Sequence, residues 1–307
     1  MSSPFLRFED GRVQLGGRNL MVSSASLSIT PQLEQEKVYG DFDPSLLGSK
    51  TEFVQHSPVG FLQGKLEIKF YISAETFTVG GTPNNINRLF DIKDGMSDQP
   101  IHDNIVGRYE FDNMYLTSFG FSLSPFKNII ATASYSIFGT IRKYRQALGR
   151  FSKNSVDFAH GLKSFGEVKI SGTESDAAVE DQFEISSLQY SINVNRKFHN
   201  HIRDNENTAV TQSASGSMPT RITVEEINSE MNIEANELIH NLNAYGDQQN
   251  TNTAQGIENS TITAYLYALD GSRVAKFSSA GKIYSQSVSI SEGDYARSNI
   301  SVRGVIK

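Results

Sequence analysis

The feature that most constrains this chain is a strand pattern written twice. Ser24-Ala25-Ser26-Leu27-Ser28-Ile29 returns 163 positions later as Ser187-Leu188-Gln189-Tyr190-Ser191-Ile192. Ser57-Pro58, followed by Phe70, Ile72 and Ala74, returns 161 positions later as Met218-Pro219, followed by Met231, Ile233 and Ala235. The block from Ala131 through Gly139 to Ile141 returns 165 positions later as Ala296 through Gly304 to Ile306. Three blocks in one order at nearly one spacing read as a duplicated β domain. The expected units are residues 1–150 and 151–307, joined between Arg142 and Asp181. A length of 307 residues supplies two units of ordinary size, each with its own core. Duplication also lets a pseudo-symmetric ring form from fewer chains.

Within the blocks the period is two. Leu66, Ile68, Phe70 and Ile72 alternate with Lys65, Glu67, Lys69 and Tyr71, as in a strand with one buried face. Leu188, Tyr190, Ile192 and Val194 alternate with polar residues in the same way, and so do Phe119, Phe121 and Leu123. Ile283 to Ile290 continues the pattern with serine at every second position. Asp270-Gly271, between two such runs, is a two-residue hairpin signal. Each half also carries one helix candidate, Asn85 to Ile92 and Leu238 to Gly246. Residues 34–58 and 199–219 read as long polar loops at the same place in each unit, and loops of such length are commonly functional or disordered.

Composition excludes several classes. The absence of cysteine removes disulfides, thiolate metal sites and cysteine nucleophiles together. A net charge of −6 does not suit wholesale phosphate binding. No run approaches the ~20 apolar residues of a membrane span, and Met1 to Asp10 lacks a signal-peptide layout. The expectation is a soluble chain made in a cytoplasm, with no membrane partner. His199, His201 and Asp204 resemble a metal pair in spacing, but the other unit has Gln35-Glu36-Lys37 there, which favours a polar loop start. Asp41-Phe42-Asp43 and Asp112-Asn113 lack the glycine-punctuated spacing of a calcium loop. The basic run Arg142 to Lys153 reads as a solvated helix or a subunit contact rather than a DNA site. Gly60 to Gly64 and Gly80-Gly81 match no phosphate loop and read as strand turns or bulges. None of the six histidines falls in a catalytic motif, so no enzyme, catalytic residue, metal or cofactor is expected.

Leu116-Thr-Ser-Phe-Gly-Phe-Ser-Leu-Ser124, then Ala131-Thr-Ala-Ser-Tyr-Ser-Ile-Phe-Gly139, resembles the paired terminal strands of phage tail tube proteins. Ile283 to Ser291, then Ala296 to Gly304, repeats the arrangement, with Arg303 in place of the aromatic residue. The resemblance implies a mainly β fold of two tandem tail-tube-like β-sandwich domains, each with one flanking α-helix. It implies a structural virion protein of the phage tail. Three chains would form a homotrimer, a pseudo-hexameric ring, and rings would stack into the viral tail tube for DNA ejection. The alternative within the family is a baseplate hub, adaptor or neck ring. Implied partners are other copies of the chain, tail proteins such as sheath, hub or tape measure, and DNA passing without specific binding. The duplication departs from the commonest single-domain tube proteins. A rival of another class is a carbohydrate-binding tandem β-sandwich, against which the lack of tryptophan counts.

A DNA conduit should present a polar wall without strong positive charge, because each phosphate contact would hold the polymer. Candidate lumen residues are Ser26, Ser28, Glu67, Lys69, Ser191, Asn193, Asn228, Glu230 and Asn232. An ordinary solvated sheet face has the same pattern. The resemblance further places Gln35, Glu36, Lys37, Asp41, Asp43, His199, His201 and Asp204 in loops between rings.

Overall fold

The computed structural model describes residues 13–30, 33–38, 53–58, 63–73, 78–79, 82–83, 100–139, 141–143, 157–170, 185–199, 219, 221–235, 259–291 and 296–306. Among them the protein is mainly β and contains no helix. The first half supplies β1 (Val13–Leu15), β2 (Arg18–Leu20), β3 (Val22–Thr30), β4 (Leu33–Val38), β5 (Phe53–Pro58), β6 (Gln63–Tyr71), β7 (Thr78–Val79), β8 (Thr82–Pro83), β9 (Asn104–Val106), β10 (Tyr109–Phe111), β11 (Met114–Leu123), β12 (Ile130–Phe138) and β13 (Ile141–Lys143). The second half supplies β14 (Phe165–Ile170), β15 (Ile185–His199), β16 (Arg221–Ala235), β17 (Asn259–Tyr267), β18 (Arg273–Ser289) and β19 (Arg297–Ile306).

Ten strands form one antiparallel sheet in the order β14-β17-β18-β19-β16-β15-β11-β12-β6-β3. A five-stranded sheet, β13-β10-β9-β1-β2, holds short strands of the first half. The order β3-β6-β12-β11 in the first half recurs as β15-β16-β19-β18 in the second. Irregularities recur with it. Register shifts between Val22 and Ser24 on β3, and between Ile185 and Ser187 on β15. The hydroxyl of Ser23 at the first bulge donates to the Lys69 carbonyl at 3.2 Å, and that of Ser186 at the second donates to the Glu234 carbonyl at 3.1 Å. A second bulge falls between Leu116 and Ser118 on β11, and between Ile283 and Ser285 on β18. A bulge leaves one residue outside the ladder, so Thr117 and Tyr284 occupy matching places.

These registers correct two of the three sequence matches. Ile29 pairs with Gly64 as Ile192 pairs with Ser229, which keeps the 163 spacing for the first strand. Gly64 therefore matches Ser229, so β6 and β16 correspond at 165 positions rather than 161. Gly64 pairs with Ile137 and Ser229 with Gly304, so β12 and β19 correspond at 167 rather than 165. Each error is an even number of residues. Slipping an alternating strand by two keeps every side chain on its face, so the pattern alone does not fix the register.

The apolar positions of the alternating strands are buried as their period requires. Leu66, Ile68, Phe70, Phe119, Leu188, Met231 and Ile233 are all inaccessible or nearly so. They belong to one apolar cluster containing residues of both halves, where the sequence suggested a separate core for each. Two features join the halves. β11 pairs directly with β15, from Ser118 opposite Asn193 to Leu123 opposite Leu188. The first part of β18 also brings Phe277 against Phe119, Phe121 and Tyr190, with ring centroids 5.6, 4.8 and 5.5 Å away.

β18 changes partner along its length. Arg273 to Lys282 pairs with β17, and Lys282 to Ser289 pairs with β19. Two glycines permit the crossing, since a Cβ on Gly281 would lie 2.0 Å from the Arg303 carbonyl oxygen and one on Gly304 would lie 2.3 Å from that of Ala280. The β17–β18 hairpin closes through Leu269-Asp270-Gly271, with the Ala268 amide donating to the Ser272 carbonyl at 2.9 Å, so the loop is one residue longer than the two-residue turn the sequence indicates. Gly271 has a φ of 85°, and the Asp270 carboxylate accepts the Ser272 amide at 2.8 Å. That bonding to Ser272 holds the Asp270 carboxyl below its usual range.

Other expectations are corrected. The segment 34–58 is not all loop, because β4 and β5 pair from Leu33 opposite Pro58 to Val38 opposite Phe53. Arg142 and Lys143 lie on β13 opposite Glu110 and Tyr109, so the start of the basic run is strand rather than helix. The expected joining stretch contains β14, and it forms bridges at Phe158, Ala159 and His160 to Ser73, Ala268 and Asn128. Gly166 interrupts the alternation of β14, which hides it in the sequence. Both helix candidates lie outside the described residues.

Candidate functional site

Residues opposite one another in an antiparallel ladder share a face, which makes the polar face of the large sheet traceable. One row runs Ser26, Glu67, Ser134, Ser118, Asn193, Asn228 from β3 to β16. The next runs Ser24, Lys69, Thr132, Gly120, Ser191, Glu230, Arg303, Lys282 from β3 to β18. A third runs Ser122, Gln189, Asn232, Ser301, Ser285 from β11 to β18. Ser28, opposite Lys65, joins the same face. All nine lumen candidates therefore lie on one face, opposite the core. Ser26, Ser28, Glu67, Lys69 and Asn193 are exposed, while Ser191, Asn228, Glu230 and Asn232 are half-buried.

Charges on this face are mixed: Glu67 and Glu230 stand among Lys65, Lys69, Arg303 and Lys282, and two ion pairs offset part of the charge. Lys65 Nζ lies 2.5 Å from Glu67 Oε1, and its hydrogen bond draws the Glu67 carboxyl below its usual range. Arg303 Nη2 donates to Glu230 Oε2 at 3.0 Å, and the Ser301 hydroxyl donates to Glu230 Oε1 at 3.2 Å. Partial burial raises the Glu230 carboxyl, but the Arg303, Ser301 and Asn232 contacts outweigh it and leave the net shift downward. The Arg303 guanidinium also sits 4.0 Å from the Tyr284 ring centroid, an arrangement the residue pattern did not indicate. A charge pair as exposed as these adds only about 0–1 kcal/mol. Its effect is to cancel charge on the face.

The inter-ring candidates are scattered. Gln35, Glu36 and Lys37 lie on β4, opposite His56, Gln55 and Val54. His199 ends β15, with Nε2 3.2 Å from the Thr223 hydroxyl. Asp41, Asp43, His201 and Asp204 lie outside the described residues. Among the described residues no three His, Asp or Glu side chains converge as a metal site. Asp112 serves a turn, its carboxylate accepting the Asp103 amide at 3.0 Å.

Sequence reasoning missed two features. Phe165 stacks on Tyr265 and Tyr267 with centroids 5.0 and 5.9 Å away. Phe165 remains 36% exposed, and the Tyr265 ring also meets the cations of Arg273 and Lys276 at 5.8 and 5.2 Å. The second feature is a set of open edges on the large sheet, with β14 at one end. β3 ends the sheet, and β18 beyond Lys282 has a partner on one side only, among the described residues. Edge status depends on which strands pair, so no local signal reveals it.

No protein-family model matches the chain, and no curated protein matches it in sequence.

Proposed function

We propose that this chain is a structural, ring-forming protein, and that the ring belongs to a phage tail tube or to a hub or adaptor that caps one. Two tail-tube-like units, each built on the repeated four-strand order, would make a trimer pseudo-hexameric. The observation that carries the reading is the continuous polar face, which crosses eight strands and both halves, with one apolar cluster behind its six inner strands. Serine, asparagine and charges of both signs give such a wall many weak contacts, which suits passage of DNA without tight binding. The nine candidate residues would line that passage. The reading assigns the chain no chemistry and no cofactor, and it places the chain in the virion.

Negative-stain electron microscopy of the full chain over a concentration series tests it. The expected result is hollow rings or stacked tubes with sixfold-like averages from trimeric particles. A monomer at every concentration, or solid particles without a channel, would overturn it. The carbohydrate-binding alternative predicts retention on a glycan array by such a monomer.

A further inference from the structure

We infer that the open edge of β18 pairs antiparallel with β3 of a second copy, with Ser285 opposite Thr30, Ser287 opposite Ser28, Val288 opposite Leu27 and Ser289 opposite Ser26. The template lies inside the chain. β11 and β15 already pair, from Ser118 opposite Asn193 to Leu123 opposite Leu188. By the repeated order and the repeated bulges, β18 is the counterpart of β11, and β3 is the counterpart of β15. Carrying each residue to its counterpart gives the stated register.

Burial separates the template from its copy. Phe121 and Leu123 are 5% and 2% exposed at the internal junction. Their counterparts Val288 and Ile290 are 51% and 74% exposed. Across the junction Ile192 is buried, while its counterpart Ile29 is 44% exposed. A second copy in this register would cover all three. Composition points the same way. Exposed edges are normally blunted by lysine, proline or inward charge, yet Val22 to Thr30 and Ile283 to Ser291 contain no charged residue and no proline. With no charge in either strand, the pairing is expected to persist in high salt.

The occupant is a second copy rather than the same chain. β3 and β18 lie at opposite ends of an eight-strand run, which spans about 34 Å at the usual strand spacing. The contact is heterologous, so it generates a closed ring or an open filament according to its rotation. The ring reading above supplies the expected closure at three copies.

The chain has no cysteine, so single substitutions report cleanly. S26C chains mixed with S289C chains should give a covalent dimer on mild oxidation, and neither alone should. S28C with S289C should not, because diagonal positions are about 7–8 Å apart. The S26C/S289C double variant should give a ladder ending at the trimer. Cross-linking of S28C but not S26C to S289C would overturn the register. A double variant that oxidises only within one chain would overturn the second copy as occupant. Rings without any mixed cross-link would overturn this pairing but leave the ring reading standing. The mixed cross-link with an open-ended ladder and filaments would support the pairing and overturn the ring. As a fold-neutral check, V288K should abolish assembly with an unchanged far-ultraviolet spectrum; assembly at wild-type concentration would count against the pairing.

Discussion

The internal β11–β15 junction and the open edges of β18 and β3 are built from matching strands, yet one is sealed and the other bare. Phe119, Phe121 and Leu123 meet Ile192, Tyr190 and Leu188 across the first, while Val288 and Ile290 are left exposed at the second. The difference shows that edge chemistry is set by what is covered. The sealed junction carries large aromatics because Phe277 packs over it. The bare edge carries smaller apolar residues and serines, which cost less to expose in the unassembled chain.

The sharpest way to break this comparison is a matched pair of truncations. Phe121→Ala should destabilise the chain by about 3–5 kcal/mol. Val288→Ala, at the matching place on the open edge, should stay within about 0.5 kcal/mol. Urea unfolding of the unassembled chain measures both, and equal losses would mean that Val288 is already covered. The two glycine sites come next. Gly304→Ala forces a Cβ against the Ala280 carbonyl and should cost about 1–3 kcal/mol. Gly64→Ala should be milder, because its nearest neighbour is a side-chain carbon at 3.3 Å and its counterpart in the second half is already Ser229. Thermal unfolding ranks the two.

Smaller effects test whether the repeated bulges are equivalent. Ser186→Ala and Ser23→Ala each remove one hydroxyl-to-carbonyl bond and should cost about 0.5–1.5 kcal/mol, the more exposed Ser23 at the lower end. A loss at only one bulge would show that the recurrence is geometric and not energetic. The smallest effect is electrostatic. Glu230 is drawn below its usual range in the folded chain, so its contribution is present above the unfolded value of about 4.3 and is lost as pH falls through the folded value. E230Q should remove a few tenths of a kcal/mol at neutral pH and flatten the stability profile below that unfolded value. A profile unchanged by the substitution would mean that Arg303 does not hold Glu230 in solution.

Much of the fold was legible because burial on one face imposes period two. That rule identified β6, β11, β15 and the β17–β18 hairpin, and it placed Ser26, Glu67, Asn193 and Glu230 on polar positions. It did not reveal β14, where Gly166 stands in the ladder, or the β4–β5 pairing, where Glu34, Gln35, Glu36 and Lys37 read as loop. It also left the repeat spacing wrong by two and by four residues, since an even slip preserves the faces.

The sequence by itself determined which side of each strand is apolar, because water penalises the wrong side residue by residue. It also determined where the chain turns at Gly271, because few residues accept that backbone. Only the tertiary structure decided that the two halves share one sheet and one core, that nine scattered polar residues form one surface, and that β3 and β18 are left open. Those facts depend on which strands pair, and pairing joins residues as far apart as Phe165 and Tyr265 through backbone hydrogen bonds that every residue but proline can make.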